Sequence, residues 1–382
     1  MTKRDVLVVS GIVFPEIGGV SNYVDFLTKH LQNIEVLSFN FYNTTRSEVR
    51  IENGKKYYLL RKVYFNSTKI SYPIRILIMA YFIRKMSKNK IVYAQDVGIS
   101  GLSCFLSFKR YLLRFVGDWA YESYYDKKIF SVPYEEFLYH TKHGIIRRLL
   151  SYLIFKRALM IITPAKHLKN TLIEYYKINP DKIRIIENFI NLPESRITTR
   201  KKEKYLLFVG RIISLKRLDR LIKCYLNCLL NSDIKLYIVG DGYLREVYEK
   251  ILSPYGDRIL FLGKKNKKEL RNLVANALCI VLPSNYEGIP FIVLESLKLG
   301  VPVIAYRNRG VEELARVIDS KDIYFFENER DFQRILKEIR TRKAKINKLD
   351  KLSKIFSARN HLNKLMEVFE SLDAHKKDSL GR

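Results

Sequence analysis

The chain has 382 residues, of which 47% are hydrophobic and 13% aromatic. It is too long for one ordinary hydrophobic core, so we expect two domains of somewhat under 200 residues each. Its 69 Lys and Arg against 39 Asp and Glu give a net charge of +30, with +16 before residue 201 and +14 after it. This even distribution excludes a basic tail as the source. The large positive charge predicts polyanionic surroundings, and the candidates are nucleic acid, an anionic membrane surface and phosphorylated small molecules.

The first half of the chain begins with a short apolar run at residues 6–10 that predicts a buried strand. A loop with Gly18 and Gly19 follows and leads into an amphipathic helix. Glycines at such a turn let the backbone approach a ligand closely. Further apolar runs at 34–39, 90–94, 110–117 and 159–164 alternate with helix-like stretches. The alternation predicts a doubly wound α/β domain over residues 1–192.

The densest basic segment covers residues 51–90, in which Glu52 is the one acidic residue. Aromatic and aliphatic residues are interleaved there with ten cations, namely Lys55, Lys56, Arg61, Lys62, Lys69, Arg75, Arg84, Lys85, Lys88 and Lys90. Such a segment resembles a surface that lies on anionic lipid headgroups. A solvated face over an ordinary core helix explains the same pattern, and the sequence leaves both interpretations open.

No apolar run approaches the ~20 residues of a membrane-spanning helix. The N-terminus has a basic start but no small-residue cleavage site, so we do not expect a signal peptide. The four cysteines lie in apolar stretches without a Cys-x2-Cys pair, which predicts buried thiols and no metal site. We therefore expect a cytoplasmic protein, and residues 51–90 suggest peripheral attachment to the inner face of the membrane.

The polar, charged stretch 191–204 predicts an interdomain linker. Beyond it, strand-like and helix-like segments alternate again over residues 200–357, which predicts a second domain of the same architecture. A final helix at about 358–376 is expected to pack back on the first domain. Two such domains would leave a cleft between the carboxyl ends of their strands.

The second domain has candidate ligand-binding residues after several predicted strands. In GRIISLKR, Gly210 allows a tight turn, and Arg211 and Lys216 are placed to hold a diphosphate. The GDG turn at 240–242 is interpreted as mainly structural. Gly263 and Lys264 end another strand, where backbone groups could contact a base.

The segment LPSNYEGIPFIVLESLKLGVPVI, residues 282–304, places two carboxylates eight positions apart. A strand should end near Pro283 and a helix should begin around Phe291, which puts Glu287 in a loop and Glu295 one turn into the helix. The amides of a helix N-terminus suit a phosphate, and a carboxylate one turn further on can accept hydrogen bonds from sugar hydroxyls. The segment therefore suggests a nucleotide-sugar site, although two surface glutamates would give the same spacing.

Taken together, the order of Gly-Gly, GR-x4-K, GDG, FLG and LPS-x-YEG-x-P-x-x-x-LE resembles the retaining glycosyltransferases of the GT-B fold, family 4. The resemblance implies two facing Rossmann-like α/β domains with an interdomain cleft. It implies that a nucleotide-diphosphate sugar binds the second domain, with Arg211 and Lys216 on the diphosphate, Glu295 on the ribose and Glu287 on the transferred sugar. The backbone at Gly288, Ile289 and Phe291 would help to fix that sugar.

In the first domain, the resemblance places Gly18 and Gly19 near the donor phosphates. It makes Asp118 the candidate sugar-facing group near the reacting carbon, although Asp118 could equally be the N-cap of a helix that starts at Trp119. Arg309 stands where members often have a glycine, which could change the selection of the donor sugar.

The mechanism that the resemblance implies is transfer with retention of anomeric configuration and without a metal, since no Asp-x-Asp occurs in a metal-binding context. The acceptor would be a glycan or a lipid-linked glycan. Two other classes stay open, a nucleic-acid-binding protein and a catalytically silent nucleotide-sugar-binding protein, both on a GT-B frame. The even charge distribution argues against the former, and the set of Arg211, Lys216, Glu287 and Glu295 argues against the latter.

Overall fold

A computed structural model describes residues 5–13, 18–39, 48–52, 54–60, 68–125, 132–140, 144–190, 203–341 and 350–380. The described chain forms two compact units. Unit 1 comprises Met1–Ser123, His140–Ile186 and Leu362–Arg382, and unit 2 comprises Tyr124–Tyr139 and Glu187–His361. Most of the predicted linker 191–204 lies outside the described residues.

The first half of the chain alternates strands and helices. Its strands are β1 (Val6–Val9), β2 (Ile34–Phe39), β3 (Glu48–Glu52), β4 (Lys55–Leu60), β5 (Ile91–Ala94), β6 (Leu112–Arg114), β7 (Met160–Thr163) and β8 (Ile183–Ile185). Its helices are α1 (Gly19–His30), α2 (Thr68–Met86), α3 (Leu102–Leu106), α4 (Trp119–Tyr125), α5 (Tyr134–His140), α6 (Ile145–Arg157) and α7 (Lys166–Asn170).

The second half continues the same alternation. Its strands are β9 (Tyr205–Val209), β10 (Lys235–Val239), β11 (Ile259–Gly263), β12 (Cys279–Leu282), β13 (Val303–Tyr306) and β14 (Ile323–Phe326). Its helices are α8 (Leu218–Leu229), α9 (Arg245–Ile251), α10 (Lys267–Asn276), α11 (Phe291–Lys298), α12 (Arg309–Ile318), α13 (Glu329–Thr341), α14 (Asp350–Ile355) and α15 (Ala358–Leu380).

The sheet of unit 1 has the strand order β3-β4-β2-β1-β5-β6-β7-β8. All neighbouring pairs are parallel except β3 with β4, which are antiparallel. The central strands β1 and β5 are buried along their whole length, as expected of apolar runs covered on both faces. The described residues of the basic segment 51–90 include the end of β3, all of β4 and helix α2. Residues 61–67, with Arg61 and Lys62, lie outside the described residues.

The sheet of unit 2 is entirely parallel in its described pairs, with the order β11-β10-β9-β12-β13-β14. Its core is built by the apolar face of α8, which includes Leu221 and Tyr225, against strand residues such as Phe208, Ile238 and Val281. Both sheets agree with the doubly wound α/β architecture expected of a GT-B protein.

The segment Tyr124–Tyr139 belongs to unit 2, although the chain on either side of it belongs to unit 1. The Asn285 side-chain amide donates to the Tyr125 hydroxyl at 2.9 Å, and the Tyr134 and Tyr286 rings lie 4.7 Å apart. These contacts join residues about 150 positions apart, which local sequence patterns do not encode. In unit 1, the α15 residue Phe369 packs edge-on against Tyr93 with ring centres 6.0 Å apart.

All four cysteines have free thiols. Cys104, Cys224 and Cys279 are buried, and Cys228 is partly exposed. Burial raises the pKa of the Cys104 thiol well above its usual value. Among the described helices, none is both long enough and apolar enough to cross a bilayer.

Candidate nucleotide-sugar site

Strand order places the candidate site at the carboxyl ends of the two central strands of the unit 2 sheet, β9 and β12. The chain runs from β9 outward to β10 and β11 on one side, and β12 to β14 lie on the other side. The order therefore reverses between β9 and β12, and ligands of open α/β sheets bind at the carboxyl ends of the strands at such a switch point. Gly210 directly follows β9 and Pro283 directly follows β12. The two predicted motifs therefore share this point of the fold.

The first loop, 210–217, connects β9 to α8 and carries the predicted cations. Ser214–Lys216 form a short 3-10 turn, and Arg217 adopts a left-handed conformation with φ of 48° immediately before α8. Arg211 is exposed, whereas the Lys216 side chain is only 19% exposed. Of the two cations predicted for the site, Arg211 is therefore solvated and Lys216 is largely enclosed.

The GDG turn packs directly on the first loop. Gly240 has φ of +138°, and a Cβ built on it would overlap the carbonyl oxygen of Gly210. A Cβ at Gly242 would likewise overlap the backbone of Ile212, whose amide donates to the Asp241 carbonyl oxygen at 2.9 Å. The turn therefore requires glycine to let two backbone segments touch, which supports the structural interpretation.

The second loop, 283–290, brings Glu287 onto the first loop. The Lys216 Nζ donates to Glu287 Oε1 at 2.6 Å, and the Glu287 side chain is 9% exposed. Sequence analysis predicted both residues for the site but not their ion pair. Because a charge in such a poorly hydrated position needs a partner, this ion pair stabilises the contact between the two loops.

Three contacts that sequence analysis missed hold the second loop. Asn188 Nδ2 donates to the carbonyl oxygen of Ile289 at 2.7 Å, and Arg220 Nη1 donates to that of Pro283 at 2.7 Å. Gly310 lies so close that a Cβ there would overlap the carbonyl oxygens of Glu287 and Gly288. A glycine in the first turn of α12, which has Asn308 as its N-cap, is the sequence signal that could have indicated such a close approach.

Arg309 also has a defined neighbour. Its Nε lies 2.5 Å from a carboxylate oxygen of Glu135 on α5, and about half of each side chain is exposed. This contact is within unit 2. It shows where the arginine lies, while an influence on sugar selection stays a prediction.

Glu295 lies in the second turn of α11, as the Gly-Pro break before the helix predicted. Pro290 is the N-cap residue and supplies no amide, so the first amide of the helix is that of Phe291. Burial raises the pKa of Glu295 to about 7, against the opposing effect of the Lys267 charge. Near neutral pH this carboxyl group is therefore divided between its charged and neutral forms.

Lys264 lies at the carboxyl end of β11, next to the site. Its Nζ is 3.4 Å from Asp241 of the GDG turn, and Gly263 adopts φ of +66°. Both side chains of this pair are more than 40% exposed, so it contributes little to stability. The GDG turn and the β11 end are thus neighbours, as their order along the sheet requires.

Within unit 1, Gly18 is the N-cap of α1 and Gly19 is its first residue. Asp118 is fully buried and has the geometry of a helix cap, because its Oδ1 accepts from the amides of Ala120 at 2.9 Å and Tyr121 at 3.2 Å. Its Oδ2 accepts from the Tyr176 hydroxyl at 2.9 Å. The capping alternative is confirmed, and a contact between Asp118 and a sugar stays a prediction.

Comparison with known proteins places these features in a family context. Residues 193–355 match the family described as glycosyl transferases group 1. An uncharacterised glycosyltransferase of Methanocaldococcus jannaschii is 30% identical over 50% of this chain and 55% of its own length. An N-acetylgalactosaminyltransferase of Campylobacter jejuni, named for a diphospho-undecaprenol acceptor, is 25% identical over 48% of this chain and 51% of its own. The matches thus span about half the length of these two relatives.

Similarity of structure covers nearly the whole chain. The crystal structure of Anabaena HepE in complex with UDP and glucose superposes with a TM-score of 0.70 and 13% identity, over 96% of this chain and all of that one. Such a low identity shows the fold alone. The chain has the GT-B fold. Its residues 193–355 are similar to glycosyl transferases group 1.

Proposed function

We propose that this protein transfers a sugar from a nucleotide-diphosphate donor to a glycan or lipid-linked acceptor, with retention of anomeric configuration and without a metal. The observation that carries the proposal is the Lys216–Glu287 pair at the switch point of the unit 2 sheet, with Glu295 one turn into the adjoining helix. Cations, a helix N-terminus and carboxylates are grouped there as a diphosphate, a sugar and a ribose require.

Binding of the donor would change the partners of Lys216. An ammonium group has three N–H donors, so Lys216 can keep one bond to Glu287 and give another to a phosphate oxygen. Arg211 is exposed and its planar fork suits two oxygens of the same diphosphate. The Glu287 carboxylate, held by Lys216, would accept hydrogen bonds from hydroxyls of the transferred sugar.

The chemical step would break the bond between the anomeric carbon and the diphosphate oxygen. The acceptor oxygen would bond to the same face of that carbon, and its proton would pass to an oxygen of the leaving diphosphate. Arg211, Lys216 and the amides at the start of α11 would neutralise the charge that develops on the leaving group. In this scheme Glu287 orients the sugar and needs no protonation change.

The donor and acceptor classes have separate support. Anabaena HepE was crystallised with UDP and glucose, which favours a UDP-hexose among possible donors. The Campylobacter jejuni relative is named for a lipid-diphosphate acceptor, and the cationic content of residues 51–90 suits an anionic, lipid-linked acceptor.

A thermal-shift screen over UDP-, GDP- and ADP-sugars tests the donor proposal, because a ligand that binds only the folded state raises the melting temperature. We expect a shift with one nucleotide class in the wild type and a much smaller one in Glu295→Ala. Glu246→Ala, a change at an exposed position of α9, is the matched control. No shift with any nucleotide sugar would contradict the proposal, and donor hydrolysis assayed on the same variants would separate an enzyme from a silent binder.

A further inference from the structure

Unit 1 contains an apolar groove that the proposed chemistry does not use. The groove has a volume of about 630 Å³, within the range of small-molecule and cofactor sites. One wall is α2, the other is α6, and α3 and the start of α4 complete the lining. Representative lining residues are Tyr72, Ile76, Leu77, Trp119, Ile146 and Leu150.

The rim of the groove exposes large apolar side chains to solvent. Of the lining residues, Ile145, Ile146 and Leu77 are 61%, 73% and 62% exposed. Leu149 on α6 and Tyr81 on α2 extend the exposed apolar surface beyond the lining, at 57% and 62% exposed. Leu77 and Tyr81 are one helical turn apart and so project from the same face of α2. Scattered exposed apolar residues are ordinary, but a cluster around an apolar groove marks an interaction site.

The same two helices carry positive charge and no acid. Tyr72–Met86 holds three Lys or Arg and Ile145–Arg157 holds four, and neither stretch contains Asp or Glu. Arg147 itself lines the groove, with its guanidinium carbon 5.7 Å from the centre of the Trp119 ring. An apolar groove with an arginine in its lining, between two helices whose charged residues are all cationic, is complementary to a molecule with a hydrocarbon chain and a negatively charged head.

We propose that the α2–α6 groove binds one hydrocarbon chain of an anionic bilayer lipid, with Arg147 at the lipid phosphate and the exposed rim residues in the membrane interface. The inference goes beyond the predicted basic segment, since α6 lies outside residues 51–90 and supplies one of the two walls of the groove. It does not depend on glycosyl transfer, because the groove lies in unit 1 and the candidate donor site in unit 2.

The chain has a built-in reporter for this proposal, because Trp119 is its one tryptophan and lines the groove. The experiment mixes the full chain with phosphatidylglycerol-containing vesicles whose acyl chains carry bromine, a fluorescence quencher, and repeats this with pure phosphatidylcholine vesicles. We expect quenching of Trp119 and vesicle flotation with the anionic lipid. The phosphatidylcholine vesicles should give neither.

Variants at exposed positions test the groove with little risk to folding. Ile146→Asp and Leu77→Asp, one on each wall, should each weaken vesicle binding about tenfold and reduce the quenching, because they remove apolar contact and add a negative charge. Ile251→Asp on α9 is the matched control, as Ile251 is 62% exposed and lies in unit 2. It should bind vesicles as the wild type does.

Three results would overturn the proposal. Flotation without quenching of Trp119 would mean that surface charge alone holds the lipid. Equal binding to phosphatidylcholine would remove the requirement for an anionic head. A dimer in light scattering that Ile146→Asp dissociates, with no binding to vesicles, would assign the groove to a second copy of the chain. The nucleotide-sugar thermal shift of Ile146→Asp should equal that of the wild type. Vesicle binding and donor binding would then be lost separately, so the two proposals can be tested independently.

Discussion

The Lys216–Glu287 pair is a point at which ligand binding and stability depend on the same atoms. Lys216→Ala would leave the Glu287 carboxylate without this partner at a position only 9% exposed. We expect a loss of about 2 kcal/mol in the free energy of unfolding, because an unpaired, poorly hydrated charge is costly. Urea unfolding followed by circular dichroism measures this loss.

Lys216→Ala should also weaken donor binding at least tenfold, which titration calorimetry would measure. Lys223→Ala is the control, since Lys223 forms an ion pair with Glu329 but is 73% exposed. In the double variant Lys216→Ala/Glu287→Ala the losses in stability should not add, because both changes remove one interaction. Additive losses would contradict an energetic link between the two residues.

The raised pKa of Glu295 predicts how the free energy of unfolding depends on pH. Its pKa is raised to about 7 in the folded protein, whereas an unfolded glutamate has a pKa of about 4.3. Between these values the folded state binds more protons than the unfolded one, so this contribution is complete below about pH 4.3 and is lost as pH rises through 7. Glu295→Gln stays neutral at every pH. The change that it causes in the free energy of unfolding should therefore be about 2 kcal/mol more favourable at pH 8 than at pH 5.

Denaturant titrations at pH 5, 6, 7 and 8 on the wild type and Glu295→Gln would measure this difference. Glu246→Gln on the exposed face of α9 provides a matched change in charge. If the curves of Glu295→Gln and the wild type ran parallel across this range, the carboxyl group would not be buried as described.

At the scale of elements, the approach of α12 to the second loop depends on the absence of a side chain at Gly310. An alanine there would meet the carbonyl oxygens of Glu287 and Gly288, which are backbone atoms and cannot rotate away. We expect Gly310→Ala to lower the free energy of unfolding by about 1–3 kcal/mol and to displace Glu287, so that donor affinity also falls. Thermal melts with and without donor would show both effects.

Gly256→Ala is the matched control for this substitution. Gly256 has helical backbone angles, and a Cβ there would meet the carbonyl oxygen of Ser253 at an ordinary 3.5 Å. It should leave both stability and donor affinity close to the wild-type values. A Gly310→Ala variant that behaves like Gly256→Ala would disprove the close approach.

The elements of the site were more predictable than their contacts. An apolar run that ends at Pro283 and resumes after Pro290 indicates a strand, a loop and a helix, and the structure has β12 and α11 there. The pairing of Lys216 with Glu287 joins residues 71 positions apart and depends on β9 lying beside β12. Hydrophobic periodicity reports how an element is buried but not which strand is its neighbour. For the same reason Asn188, 101 positions from Ile289, was missed.

Asp118 shows a different limit. Its position before Trp119 suited both a helix cap and a sugar contact, because a short acidic side chain serves either role. The distinction lies in where the two oxygens point, and both accept hydrogen bonds from unit 1, one from backbone amides and one from Tyr176. Tyr176 lies 58 positions away along the chain, beyond the reach of any capping motif.

At the scale of the whole molecule, the net charge of +30 predicts how stability responds to salt. With 69 cationic and 39 anionic side chains, many cations have no acid to pair with, so their mutual repulsion opposes the compact state. Salt screens this repulsion over a Debye length that shortens from about 30 Å at 0.01 M to about 8 Å at 0.15 M. The melting temperature should therefore rise by several degrees as NaCl increases from 10 to 300 mM at pH 7.

The control for this prediction is pH. The isoelectric point is about 9.8, so near pH 9.5 the net charge is small and the same salt series should change the melting temperature little. Sodium sulfate at matched ionic strength separates screening from specific anion binding, since an occupied phosphate site would add a saturable increase. A melting temperature that falls with NaCl at pH 7 would mean that attractive ion pairs outweigh the repulsion.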